Sequence, residues 1–365
     1  MMPMLGMPPL GMLLLRGVAL LTAVSVTATA QVVDVGAVRI QLCTPEIVRV
    51  LAAGSSAVEA VGNKSSLAVV NEWPEEVAHT VAKDADGATE IKTEALKIVV
   101  ATDGNVSFFS MDSGAPLLAE LGREFGDGSV TQTWDSPPTE SLFGLGHFNF
   151  GLMDFRLAPV DMTQWNLWKI VPFLVSTRGW GVLWDTSYAT AGLNKVTDAE
   201  SVPLGAWSVR PVEASDPAPT RAYNSTPTNW SETSGSITVT EAGTHWVYMK
   251  IWQNLIWCSH GARVKIGSEI VIDLFDDPCN LPPSTLGRIH LEPGTHTVTV
   301  QTWAQNPFEP NVWVRAPGRY GNKTSWQSDR PASSVDYYFM GAEKPLLERF
   351  LYLKDQFTKT GLGQT

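Results

Sequence analysis

Cysteine is scarce in this chain. Three occur in 365 residues: Cys43, Cys258 and Cys279. So few exclude a scaffold built on disulfides, and their spacings do not make a zinc site. A surplus of cations is missing too, since 26 Lys and Arg stand against 37 Asp and Glu, a net charge of -11. Nucleic-acid binding needs a basic stripe, and adsorption to anionic lipid needs basic segments. Neither is present. No apolar run after the first thirty residues approaches the ~20 needed to cross a bilayer. The six His show no ligand spacing, and neither a nucleophile elbow nor a phosphate-binding loop is found. No cofactor and no metal is expected from these patterns.

What is there begins with an export signal. Arg16 is the one charge before the apolar run Gly17 to Val26, and Ala28-Thr29-Ala30 supplies small residues before Gln31. Residues 1–30 therefore read as a secretory signal peptide, with an uncleaved anchor as the alternative. Secretion, or residence in the lumen of the secretory pathway, follows. Five acceptor patterns for N-glycosylation, at Asn63, Asn105, Asn224, Asn229 and Asn322, fit the same route. An exported chain permits a disulfide, and Cys258 with Cys279 is the expected pair because both fall in one β-rich block. Cys43 would then be a buried thiol.

The mature chain reads as β-strands. Val38–Leu42 and Ile47–Leu51 flank Cys43-Thr44-Pro45. Ala95–Thr102 and Asn105–Ser110 flank Asp103-Gly104, a dipeptide suited to a type I′ turn. Ile170–Thr177 and Trp180–Thr186 flank Arg178-Gly179. Closely spaced strands and turns of this kind predict an antiparallel sandwich. Proline-rich residues 199–226 read as a boundary or linker. A second β block follows, in which Val298 and Val300 alternate with Thr297, Thr299 and Gln301. Pro345 to Thr360 carries Leu346, Leu347, Phe350, Leu351 and Phe357 at near-helical spacing, so a C-terminal helix is expected.

Several stretches together resemble glycoside hydrolase family 31, the α-glucosidase and α-xylosidase family. They are Val38 to Val50, the glycine-rich Phe143-Gly144-Leu145-Gly146-His147, Gln164-Trp165-Asn166, and the long block Pro172 to Asp185. Val335-Asp336-Tyr337-Tyr338-Phe339 is similar to the strand that leads toward the family's catalytic barrel. Residues 226–320 resemble a protective-antigen-type domain, on Glu241 to Trp246, Val264 to Gly267 and Leu291 to His296. The resemblance implies a mostly β fold: a galactose-mutarotase-like β-sandwich over 31–212 and 321–343, an inserted second β-sandwich over 226–320, and a helix over 344–365 leading toward a catalytic barrel.

Retaining glycosidases use two carboxylates about 5–5.5 Å apart, which this family carries on a barrel of about 250 residues. The family's nucleophile motif, Trp-x-Asp-Met-x-Glu, does not occur in the sequence. No catalytic residue is therefore assigned, and Asp185 reads as a structural or loop-ordering acid. The expected function is the N-terminal, non-catalytic portion of a secreted α-glycosidase, partnered by carbohydrate and by the catalytic barrel of the same parent protein. The alternative is a free-standing, lectin-like carbohydrate-binding protein without turnover. Sugars stack apolar faces on aromatic rings and offer hydroxyls to amides and acids. On that chemistry Gln164, Trp165, Asn166 and Trp168 are candidates in one loop, and Trp252 and Trp303 in the second block. Core packing is the competing reading for each Trp. Asp276 and Asp277 are a weak candidate pair for calcium, which needs several more oxygens.

Overall fold

The computed structural model describes residues 32–54, 66, 69, 73, 76–148, 151–163, 169–186, 191–216, 228–251, 260–275, 284–304, 308–318, 321–329 and 332–341. Strands run as β1 Val32–Val35, β2 Val38–Leu42, β3 Ile47–Ala53, β4 Thr80–Lys83, β5 Thr89–Lys92, β6 Leu96–Val100, β7 Val106–Ser110, β8 Pro116–Phe125, β9 Val130–Asp135, β10 Leu142–His147, β11 Val160–Met162, β12 Lys169–Ser176, β13 Trp180–Trp184 and β14 Ala191–Leu193. A 3-10 turn, Asp198–Glu200, and β15 Ser208–Pro211 lead into β16 Asn229–Val239, β17 Gly243–Lys250, β18 His260–Ile266, β19 Glu269–Asp273, β20 Ser284–Leu291, β21 Gly294–Ala304 and β22 Asn311–Arg315. The chain returns through β23 Lys323–Ser328 and β24 Ser334–Gly341. The expected C-terminal helix lies outside the described residues. Among those described, no helix is long and apolar enough to cross a membrane.

Two sheets make the first sandwich. One has the order β1-β2-β3-β24-β13-β12-β10 and the other β11-β14-β23-β9-β8-β7-β6-β5-β4. Alternation drives their closure. In β2, β6, β7 and β9 every second residue is buried, the signature of a sheet with one face on a core. Aromatic rings cross the gap. Trp184 on β13 stacks on Trp326 of β23 at 5.5 Å, and Trp134 of β9 meets it edge-on at 5.8 Å. The Trp184 indole N–H donates to Ser328 Oγ at 2.7 Å, so the buried polar handle is satisfied.

The second sandwich is set between β14 and β23. It pairs a sheet of order β15-β16-β21-β18-β19 with a three-stranded sheet, β20-β17-β22. The chain changes sheet from β16 to β17 and again from β20 to β21. The turn Glu292-Pro293-Gly294 thus joins strands of opposite layers rather than neighbours. Val298 and Val300 face the core, as their alternation requires, with Val264, Val247 and Met249.

Three expectations are refined. Asp103-Gly104 does not form a type I′ turn. The amide of Gly104 donates to the Ala101 carbonyl, Ala101 N–H donates to Asn105, and only Gly104 has positive φ, at 85°. That is a type I turn followed by a left-handed glycine. The described part of the supposed linker, residues 199–216, is docked by backbone pairing. Ser201 bridges Trp313, Leu204 bridges Gly235, and β15 pairs with β16. Gly235 permits this, because a β-carbon there would collide with the Pro203 carbonyl. The glycine-rich stretch is a bulge. Its register slips between Gly144 and Gly146 against β12, and Leu145, at φ 63°, drives its side chain fully into the core.

Gly146 lies at φ 97°, and a β-carbon on it would run into the Lys169 carbonyl oxygen of β12. Gly151, at φ 64°, has open space around it. Gly151→Ala should therefore lose only the left-handed penalty of about 1–2 kcal/mol, and Gly146→Ala clearly more. Equal losses in urea unfolding would show that close approach of the strands is not what demands glycine here.

Candidate functional site

A buried polar network lies at the seam between the two sandwiches. At its centre is Arg315, at the end of β22. Its Nε donates to Glu200 Oε1 at 2.7 Å, Nη2 to Glu200 Oε2 at 3.4 Å and to the Lys195 carbonyl at 3.0 Å, and Nη1 to the Leu157 carbonyl at 3.2 Å. Both side chains of the ion pair are 2% exposed. Glu200 is fixed locally: its carboxylate also accepts from the amide of Thr197 at 2.7 Å and from the Thr197 hydroxyl at 3.0 Å. The Thr-x-x-Glu spacing of a capping box explains that geometry. Burial works against ionisation of Glu200, but the hydrogen bond and charge of Arg315 outweigh it and hold its carboxyl below the usual glutamate range.

Beside this lock a cleft of about 290 Å³ opens. The first sandwich contributes Pro159, Val160 and Asp161, and Lys195 and Val196 follow β14. Tyr248 and Lys250 come from β17, and Asn311 and Trp313 from β22. Alternation along β17 and β22 explains why Tyr248 with Lys250, and Asn311 with Trp313, share a side. Lys250 Nζ lies 2.9 Å from Asp161 Oδ2, and the Tyr248 hydroxyl reaches the same oxygen at 3.4 Å. Lys195 Nζ lies 2.6 Å from Asp329 Oδ2. Trp313 and Tyr248 pack with ring centres 5.5 Å apart and planes tilted by 52°. Burial, and next the negative charge of Asp161, raise the Tyr248 phenol well above its ordinary value. It stays a neutral hydroxyl.

Acids elsewhere are engaged structurally. Asp336 on β24 grips Arg49 with two oxygens, at 2.8 and 2.6 Å, while Asp185 lies 3.8 Å from the same guanidinium. The Asp185 amide donates to the Asp336 carbonyl at 2.9 Å. Asp185 is thus a structural acid at the joint of β13 and β24. Glu120 is wholly enclosed, bound by the Val106 amide, Arg123 and, at 2.7 Å, the Tyr337 hydroxyl. Cys43 is a buried free thiol, pushed up to about 12 chiefly by burial.

Of the residues singled out from sequence, Gln164, Trp165, Asn166, Trp168 and Trp252 lie outside the described residues. So do Asp276 and Asp277, Cys258 and Cys279, and Asn63 and Asn224. Among the described residues no group of three or more His, Cys, Asp or Glu is assembled for a metal. Trp303 is buried, with Phe275 edge-on at 6.4 Å, and packs in a small core with Trp230. That corrects its candidacy as a stacking platform: Trp303 lies on the face of β21 opposite Val298 and Val300, where Trp230 and Phe275 cover it. Asn322 is exposed, while Asn105 and Asn229 are half-buried. The seam residues Asp161, Lys250, Asn311 and Trp313 escaped the sequence reading. Asp161 stands three positions before Gln164, and that nearness was the one available hint.

Arg315→Met would strand a buried carboxylate, at a cost of about 3–5 kcal/mol, read as a lower urea midpoint. The pH dependence carries a sign. Because the folded-state value of Glu200 is depressed, its contribution is present above the ordinary glutamate range and is lost as pH falls through the folded value. That part of the acid unfolding limb should vanish in Arg315→Met. An unchanged limb would show that Arg315 does not hold Glu200 ionised.

Comparison with known proteins gives this geometry a setting. Residues 37–191 match the family model of the glycosyl hydrolase 31 N-terminal galactose mutarotase-like domain. The structure of an α-xylosidase of that family from Xanthomonas citri aligns at TM-score 0.62 and 25% identity, covering 87% of this chain and 38% of that one. A dextranase from Flavobacterium johnsoniae, complexed with isomaltotriose, aligns at 0.43 and 15%, covering 88% and 27%. An α-xylosidase from a soil metagenome, complexed with xylose, aligns at 0.42 and 14%, covering 88% and 32%. This chain therefore spans well under half the length of each. The family match and the Xanthomonas alignment together support a glycosyl hydrolase 31 N-terminal region, mutarotase-like in fold, across the first sandwich.

Proposed function

We propose that this chain is the N-terminal, non-catalytic portion of an exported α-glycosidase of the α-glucosidase and α-xylosidase kind. It contributes carbohydrate binding and shapes a substrate cleft. The second sandwich serves as an inserted protective-antigen-type module. The reaction of the parent would be retaining hydrolysis of a terminal α-glucosyl or α-xylosyl unit, carried out by a catalytic barrel outside this sequence. The observation that carries this reading is the alignment over 87% of the chain with an α-xylosidase of which it spans only 38%. The engagement of Asp336 and Asp185 with the guanidinium of Arg49 agrees with it. The signal-like residues 1–30 and the exposed acceptor Asn322 support export.

A second reading is a free-standing, lectin-like binding protein. One observation favours it: the described lining of the seam cleft brings polar groups and an aromatic ring together from both sandwiches.

The purified chain should leave aryl α-glucosides and aryl α-xylosides uncleaved. Product release above that of a buffer blank, retained through repurification, would overturn the non-catalytic assignment.

A further inference from the structure

We propose that the cleft at the seam binds one ring of a neutral oligosaccharide, with Trp313 as its stacking surface and Asn311 and the Asp161–Lys250 pair as its hydroxyl partners. The carbohydrate-binding reading above underlies this, but the site is a separate claim and can fail alone.

Charge selects the ligand class. Each cation in the cleft already has an anion: Lys250 is 2.9 Å from Asp161, and Lys195 is 2.6 Å from Asp329. An anionic ligand would have to displace a carboxylate, and a metal ion would have to displace an ammonium. A neutral polar ligand meets no such cost. The Asp161–Lys250 pair presents an acceptor and a donor side by side, and two adjacent hydroxyls of a pyranose present the complementary set. Charged partners make the stronger hydrogen bonds of this kind. Asn311 is exposed at the mouth and adds an amide with both a donor and an acceptor.

Size and rigidity agree. The 290 Å³ volume lies at the lower end of the usual range for small-molecule sites, which suits a single sugar ring rather than a long chain. Trp313 is half-buried and is braced by Tyr248. Its backbone bridges Ser201, and Val312 beside it accepts from the Val202 amide at 2.8 Å. An indole held this way loses little freedom on binding, which favours affinity. The two walls of the cleft belong to different sandwiches, so the Arg315–Glu200 lock and the Asp161–Lys250 pair together set its width.

The test is calorimetric titration of the full chain with isomaltotriose, xylose and glucuronate. Isomaltotriose should bind, and glucuronate should bind no better than xylose. Asn311→Ala should weaken isomaltotriose about fivefold, the worth of one hydrogen bond, and Trp313→Ala about tenfold or more. Asp161→Asn, which removes the Asp161 charge beside Lys250, should raise affinity for glucuronate. If Trp313→Ala fails to fold, Asn311→Ala at its exposed position decides. Binding that both variants leave unchanged would overturn the cleft while sparing carbohydrate binding at another place. No binding of any sugar would overturn the cleft and the carbohydrate-binding role together, leaving the non-catalytic assignment to its own assay. Wild-type preference for glucuronate would overturn the neutral class.

Discussion

One guanidinium, beside the Asp161–Lys250 pair, ties the two sandwiches together. Arg315 ends the last strand of the inserted module, and its guanidinium reaches across the seam to Glu200 and to the carbonyls of Leu157 and Lys195. A buried ion pair is weak evidence of net stability, since its desolvation opposes its attraction. Its worth here is specificity. The planar fork accepts only one arrangement of three chain segments. Leu157 holds positive φ, at 63°, in the segment that presents its carbonyl, an arrangement that costs backbone energy and persists because the surroundings over-determine it. With the Asp161–Lys250 pair, that fork fixes the separation of the cleft's walls.

Insertion of a whole sandwich is possible because its ends leave and return side by side. β14 and β23 are antiparallel neighbours in the nine-stranded sheet, Ala191 opposite Ser328. The first sandwich therefore closes as though the intervening residues were one long loop, and a long loop costs only slowly more entropy as it grows. What must be exact is the last strand. β24 sits between β3 and β13, buried along its whole length. Asp336 at its head finds Arg49 on β3, and the pair satisfies charge in the middle of a sheet where water does not reach. The sheet is complete only when residues nearly three hundred positions apart have met, so the inserted module has to fold compactly enough to bring β23 and β24 home.

Period-two patterns made some strands legible, and short apolar runs beside turn residues made others so. Val38–Leu42, Ile47 onward, the hairpin around Arg178-Gly179 and the alternation at Val298 and Val300 all follow from local sequence. Turn chemistry was less legible, because Asp-Gly serves both a two-residue type I′ turn and the longer turn seen at Ala101–Asn105. Long-range pairing was not legible at all. Nothing in Glu200 marks it as the partner of Arg315, 115 positions away. The proline-rich stretch around it suggested a tether, whereas its backbone docks on β16 and β22 through bridges at Ser201 and Leu204. Tryptophan was ambiguous by nature. Trp303 and Trp313 lie ten residues apart in similar surroundings, yet one fills a core and the other lines a cleft, a difference set by the layer each strand joins.

Perturbed carboxyls usually point toward an active site, and this molecule shows when that pointer fails. Burial raises Glu120 and, more weakly protected, Glu140. A general acid in a retaining glycosidase needs such a raised value, but it also needs a path to the glycosidic oxygen and a second carboxylate across the bond. Glu120 is enclosed by Val106, Arg123 and Tyr337, and Glu140 is turned onto the Ser176 hydroxyl. Neither lines the cleft. In the cleft the opposite condition holds: Asp161 is reachable, but its charge is matched by Lys250. Among the described residues the molecule separates the two requirements of acid catalysis, a shifted proton and access, into different places.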